Sequence, residues 1–491
     1  MLKLTCLIAF MSLVKQIANN TLIQVTGRLI SVGLGLIVLS LMAHSLGPIG
    51  FGYLTTIMAF LQFFCTLADL GLNLTTLQLI SEPEANQSKI ISNLLTFRSL
   101  TAIILLSLAP AVAWFFPYPN LVKWGITLMS FSFLFAVIQQ IFVGLFQKEL
   151  QTIKNVLADL GGRIVSLLIM LITWQLGWGL WGAIAALIFS NLVNLIILIL
   201  SAKKIIHLGW DFDLTLWKKI ITYSWPLAAT TIFNLIYFKA DTIILSLYQP
   251  ATAVGLYGAP YKILEVLINF PFLFLGLILP ILTTNWLKQD LIYFKKIFQT
   301  AFDFLIIVTV PIIFGCWVLA KPIILLIAGE AFLASAGILK VLIVATGIIF
   351  ISSLFGYVII AVNQQRKMIK FYFATAVISL LGYFLLIPRY SYWGAAYMTV
   401  LAELLIALTA GWMVYRLTKL QPDWQIFIKA LLASLIMAGS LWPLANLNIL
   451  LTVALGLLIY LVALYALGGI NPELIKQLSW SKPKTKPQIT N

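Results

Sequence analysis

Arg28, Asp69, Lys239, Asp241, Lys262, Glu265 and Glu403 all stand inside long apolar stretches of the chain. An ionisable side chain in such a position is costly, so each marks either a task or a fixed partner. The cations support anion binding: a guanidinium grips phosphate oxygens through two parallel hydrogen bonds, and an ammonium acts as a point charge. Arg28, Lys262 and Lys239 are therefore the candidate lining for a phosphate-bearing substrate. In the competing arrangement Asp69 neutralises Arg28, Glu265 neutralises Lys262 and Asp241 neutralises Lys239, and the pairs only lock helices together. Lys262 and Glu265, three apart, share a helical face and can pair. Lys239 and Asp241, two apart, point in different directions, so one of them aims at a cavity or at the neighbouring helix. Asp69, Asp241, Glu265 and Glu403 are the candidates for gating or ion coupling; Glu403 would be kept neutral by burial or would exchange a proton during a cycle.

Other chemistry has little support. Asp211-Phe-Asp213 spells the metal-binding pair of many sugar-nucleotide transferases, but in a basic loop it reads as a solvated turn. Cys6, Cys65 and Cys316 show no pairing or metal spacing and read as small buried hydrophobes, while His44 and His207 are solitary. Asp159 and Arg163, four apart, form a structural pair, and Arg98 near a helix end snorkels to the surface.

The elements that must position these charges are membrane helices. The 491 residues are 62% hydrophobic and 9% charged, which places the chain in the polytopic helical membrane class. The net charge of +16 comes from short basic runs between apolar segments rather than from one solvated face, which argues against nucleic acid as a partner. Apolar segments run near 21–44, 51–79, 92–116, 121–146, 156–175, 179–201, 219–248, 252–281, 297–319, 334–361, 368–387, 393–415, 427–444 and 447–467. These fourteen are each long enough to span about 30 Å of hydrocarbon. With both ends inside the cell, only Lys123, Lys321 and Arg389 of the 31 Lys and Arg fall outside, and Arg28, Lys239, Lys262 and Lys340 lie within spans. That bias predicts cytoplasmic termini under the positive-inside rule, with anionic headgroup contact as a secondary effect. Aromatic residues such as Trp114, Phe115, Trp174, Trp178 and Trp181 fall at the outer ends and read as an interfacial belt. Residues 1–14 carry Lys3 and an apolar run without a convincing cleavage motif.

A repeat organises the segments. Gly-Pro-Ile-Gly-Phe-Gly52-Tyr-Leu54 opens the second segment, and Ala-Thr-Ala-Val-Gly255-Leu-Tyr257 opens the eighth. Six segments, an even number, separate the copies, so both run the same way across the bilayer. Parallel halves imply a pseudo-two-fold axis along the membrane normal with a cavity between the lobes. The expected fold is all-α: an N-terminal cytoplasmic segment 1–20, a first six-helix lobe 21–201, an inter-lobe loop 202–218, a second six-helix lobe 219–418, two further helices in 419–469 and a cytoplasmic tail 470–491.

Leu46-Gly-Pro-Ile-Gly-Phe-Gly-Tyr53 followed by Leu67-Ala-Asp69-Leu-Gly71, with Lys239-Ala-Asp241 followed by Val254-Gly-Leu-Tyr-Gly-Ala-Pro-Tyr-Lys262, resembles the oligosaccharide flippases (Wzx-type) of the multidrug/oligosaccharidyl-lipid/polysaccharide exporter superfamily. The resemblance implies a two-lobed transporter of the bacterial cytoplasmic membrane. It would turn undecaprenyl-diphosphate-linked repeat units between leaflets by alternating access, beside glycosyltransferases and a polysaccharide polymerase. In related lipid II flippases, arginines on the first and eighth helices line the cavity. Arg28 matches the first, and Lys262 stands in the equivalent region of the eighth, keeping the charge without the guanidinium fork. The resemblance implies no catalytic residue, nucleotide site or cofactor. The rival readings are a lipid II flippase, a cation-coupled multidrug exporter and, from another class, a membrane oligosaccharide polymerase or ligase. The last should carry a large outer loop, whereas the loops here are short.

Overall fold

The computed structural model describes residues 2–69, 72, 87–149, 151–206, 209–444 and 447–469. Among these, fourteen long helices account for the fold. They are α1 (2–46), α2 (48–69), α3 (Gln87–Ala113), α4 (Asn120–Lys148), α5 (Ile153–Gln175), α6 (Gly179–Ala202), α7 (Leu214–Tyr248), α8 (Ala251–Leu287), α9 (Leu291–Ala328), α10 (Ser335–Ala361), α11 (369–390), α12 (392–418), α13 (Gln425–Leu441) and α14 (Ile449–Ala466). The tail 470–491 and the stretch 73–86 lie outside the described residues.

Two tight reversals separate helices that would otherwise run on. Gly47 adopts φ 60°, ψ −178°, a left-handed φ that costs an L side chain roughly 1–2 kcal/mol. Pro48, which has no N–H to leave unpaired, then opens α2. Ser391 makes the corresponding break between α11 and α12 at φ 53°, three residues after Pro388. Among the described residues, eleven continuous helices are long and apolar enough to cross a membrane. Two of these, Thr26–Asp69 and Gln365–Thr418, run 44 and 54 residues and fold back at these breaks, so each makes two passes. With α7, 35 residues long, these make fourteen helical segments, the number expected from the sequence.

Helices α1–α6 form one lobe and α7–α12 the other, with α13 and α14 laid against α9. Leu61, Ile126 and Met129 centre the first lobe's core, Leu245, Tyr257 and Tyr383 one core of the second, and Phe298, Leu354 and Leu464 the core that holds the last two helices. Large apolar side chains such as Ile30, Ile104, Leu381 and Leu450 face outward, as a lipid solvent allows.

The repeat copies meet. A Cβ on Gly52 would lie 1.8 Å from the Ala251 carbonyl oxygen, and one on Gly255 would lie 2.0 Å from the Pro48 oxygen. The contact is reciprocal, each glycine against the residue four positions before the other, as a pseudo-two-fold axis between α2 and α8 requires. Small residues let membrane helices approach this closely, since burial alone gives little drive in lipid. One turn further on, Thr55 packs against Gly258.

Candidate functional site: a cationic cavity between the lobes

Beyond the Gly52–Gly255 crossing, α2 and α8 diverge, and with α4 and α7 they enclose a cavity of about 350 Å³. Thr55 and Gln62 line it from α2, Phe133 from α4, Lys239 from α7, and Lys262, Glu265 and Asn269 from α8. Lys239 lies nine residues before the end of α7 and Lys262 eleven after the start of α8. At 1.5 Å rise these positions are about 14 and 17 Å from the turn between them, well inside the membrane. The hairpin end of the cavity is shut. Phe51 packs edge-on against Phe332 with centroids 5.7 Å apart, Tyr118 and Ser246 share a hydrogen bond of 3.0 Å across the lobes, and Ser40 donates to the Leu326 carbonyl. Toward the other, basic end, α8 becomes progressively more accessible, from buried Gly258 through half-buried Lys262 and Glu265 to exposed Asn269.

One carboxylate serves two ammonium groups. Lys262 donates to Glu265 Oε2 at 2.7 Å, and Lys239 donates to Glu265 Oε1. The Lys239 ammonium also sits 4.7 Å from the centroid of the Tyr261 ring. The cluster therefore carries one unmatched positive charge. The side chains of Lys262 and Glu265 are 25% and 26% exposed, enough for water and an anion to reach them.

The i,i+3 spacing identified the Lys262–Glu265 pair, and Lys239 does aim at α8. The other two pairings considered from sequence differ in the structure. Asp241 is fully buried within the second lobe, where it accepts from Tyr257 Oη at 2.6 Å and from the Thr242 hydroxyl at 3.1 Å. Thr399 on α12 and Tyr383 on α11 adjoin the same cluster, and Glu403, 3% exposed, follows one turn after Thr399. Asp69 pairs with Arg98 rather than with Arg28. Arg98 does not snorkel: its side chain is 1% exposed. A carboxylate on the adjacent helix is within its reach, and the inter-lobe loop covers the turn of α3 that separates it from the surface. Arg28 is exposed on α1, outside the cavity lining, and makes no ion pair among the described residues. One turn beyond it, Ser31 donates to Asp159 on α5, and Arg163 pairs with Asp159 at 3.7 Å while packing over Gly35.

Gln62 and Asn269, polar residues within apolar segments, were the available sequence signal for the cavity wall that charge alone overlooked. The Asp211-Phe-Asp213 motif is spent on structure. Asn93 donates to Asp211 at 2.9 Å and accepts from the Asp213 backbone at 2.7 Å. Asp213 caps α7 through Thr215 and Leu216 and pairs with Lys89 at 2.8 Å. Lys89 beside it holds the Asp213 carboxyl below its usual range. No group of three or more metal-ligating His, Cys, Asp or Glu side chains occurs among the described residues.

Residues 17–286 match the family described as "Polysaccharide biosynthesis protein". The chain is 21% identical over 340 residues to the "Succinoglycan biosynthesis transport protein ExoT" of Rhizobium meliloti (strain 1021), an alignment covering 68% of this chain and 67% of that protein. Among solved structures, "Lipid II flippase MurJ, inward closed conformation" superposes with a TM-score of 0.72 at 17% identity, covering 90% of this chain and 98% of that one. An inward-facing multidrug resistance MATE family transporter of the MOP superfamily superposes at 0.65 and 12% identity, covering 78% and 95%. These likenesses fix the fold as the two-lobed arrangement of that superfamily. The family match, over more than half of the chain, shows that this multi-pass membrane protein belongs to the polysaccharide biosynthesis protein family.

Proposed function

We propose that this protein flips undecaprenyl-diphosphate-linked oligosaccharide repeat units across the bacterial cytoplasmic membrane by alternating access, with its basic end and both termini in the cytoplasm. The observation that carries the reading is the pair of lysines sharing Glu265 in a cavity shut at the hairpin end and accessible from the basic end. A diphosphate cannot enter hydrocarbon unaided, because losing its hydration costs many kcal/mol. In the cavity Lys239 and Lys262 exchange a carboxylate partner for phosphate oxygens, so neither ammonium is left bare at any stage. Tyr261 keeps Lys239 oriented through its ring face. Gln62, Thr55 and Asn269 offer neutral hydrogen bonds to the first sugars.

Arg28, exposed on α1, serves as a first contact for the diphosphate before the cavity. Glu265 and Asp69 act in gating, through the ion pairs they hold on facing helices. The buried carboxylates Asp241 and Glu403 take up a cation or proton that drives the return of the empty carrier. Glycosyltransferases would supply the lipid-linked unit, and a polymerase would consume it on the far side. The lipid II flippase fold supports peptidoglycan precursor as the second reading. Proteoliposomes loaded with each lipid separate the two: the proposal expects inward-to-outward movement of the oligosaccharide lipid with no bond made or broken. It fails if lipid II alone moves or if products are joined.

A further inference from the structure

A second, larger groove has no part in this transport scheme. At the basic end of the second lobe, α7, α11 and α12 enclose about 760 Å³. Four cations line it: Arg366 and Lys367 just before α11, Lys370 in its first turn and Arg416 in the last turn of α12. All four are exposed, and none makes an ion pair among the described residues. The rest of the wall is aromatic. Phe233 of α7 meets Phe373 at 5.4 Å between centroids, and Phe371 meets Trp412 at 5.9 Å. Phe373 and Trp412 are 53% and 50% exposed. The Arg416 guanidinium lies 5.3 Å from the Trp412 ring and the Lys370 ammonium 4.9 Å from the Phe371 ring, so the cations are drawn over the aromatic wall.

The placement differs from that of Lys239 and Lys262. These cations stand at helix termini, at headgroup depth, and the exposed rings continue from them into the acyl region. A cluster of unmatched Lys and Arg between transmembrane helices at a membrane surface fits a phosphate headgroup, and an apolar channel leading from it fits an acyl chain. We propose that this groove is a binding site for an anionic phospholipid of the adjacent leaflet. Arg366, Lys370 and Arg416 hold the phosphate, and one acyl chain lies along Phe373 and Trp412. The site is independent of the flipping reaction and of which leaflet the basic end faces.

The test is native mass spectrometry of the full detergent-purified chain titrated with phosphatidylglycerol or phosphatidylcholine. The wild type should retain one phosphatidylglycerol in preference to phosphatidylcholine. Each surface cation contributes roughly a fivefold factor, so Arg366→Ala/Lys370→Ala/Arg416→Ala should weaken that retention on the order of a hundredfold. Lys295→Ala/Lys296→Ala, which removes exposed cations from the basic end of α9, should leave it unchanged. Arg366→Lys/Arg416→Lys should keep most of it. Equal retention by the triple variant, equal retention of phosphatidylcholine, or an equal loss in the α9 control overturns the proposal. So does displacement by undecaprenyl diphosphate at lower concentration than phosphatidylglycerol, which would reassign the groove to the transported lipid. If the triple variant does not purify folded, Arg416→Gln alone is read, with about a fivefold loss expected; no loss there overturns the site.

Discussion

Because Glu265 is shared, cavity charge can be stepped through three values by neutral substitutions at three positions. Wild type carries one excess positive charge. Lys239→Gln or Lys262→Gln leaves a neutral pair, the double substitution leaves Glu265 alone and negative, and Lys239→Gln/Lys262→Gln/Glu265→Gln is neutral again. A phosphate oxygen about 4 Å from one such charge interacts by roughly 4 kcal/mol at an effective dielectric of 20. Much of that is offset by lost hydration, and charge-assisted hydrogen bonds contribute about 1.5–3 kcal/mol net. Each lost positive charge should therefore lower flipping about 10- to 150-fold. Glu265 left alone should abolish flipping, and removing that glutamate from the double variant should restore part of the rate. The assay is translocation of a fluorescent lipid-linked oligosaccharide in proteoliposomes, with insertion matched by quantitative blotting. Single variants at the wild-type rate, or a double variant no worse than either single, would refute phosphate recognition by this cluster.

Gly52→Ala and Gly255→Ala each force a methyl into backbone at about 2 Å, which must separate α2 from α8. A loss of about 1–3 kcal/mol in stability should accompany faster labelling of a cysteine at Ser246 from the hairpin side, and unchanged labelling would remove the pivot. Asn93→Leu should free the inter-lobe loop from α3, seen as faster proteolysis within 203–213. Because the Asp213 carboxyl is held low in the folded state, the stability it contributes is fully present above the ordinary carboxylate value. It is lost as pH falls toward the lowered one, so the Asp213→Asn difference in proteolysis should shrink only in acid. Arg98→Leu breaks a buried pair and should cost about 3–5 kcal/mol, while Arg98→Met/Asp69→Leu should recover much of it in thermal unfolding.

The sequence carried the helices further than the contacts between them. Gly47-Pro48 announced a reversal because one residue permits a left-handed φ and the other tolerates only the start of a helix, and the apolar segments set the count of helices, which the charge bias required to be even. Lys262 and Glu265 were readable as a pair because three residues on one helix share a face. Pairings between helices depend on rotation and tilt, which neighbouring helices set rather than the local sequence. The sequence thus offered Arg28 and Asp69 as opposite charges on consecutive helices but not a facing direction, and Asp69 turned instead to Arg98 on α3. The same limit hid Lys239 on Glu265 and the enclosure of Asp241 by Tyr257 and Thr399, since both arrangements depend on how α7 is rotated against α8 and α12.

The most direct measurement is a structure determined with a lipid-linked oligosaccharide diphosphate bound. The expected result is phosphate within hydrogen-bonding distance of both Lys239 and Lys262, with Glu265 displaced from at least one of them. Phosphate bound elsewhere, with both lysines still held by Glu265, would contradict the proposed mechanism.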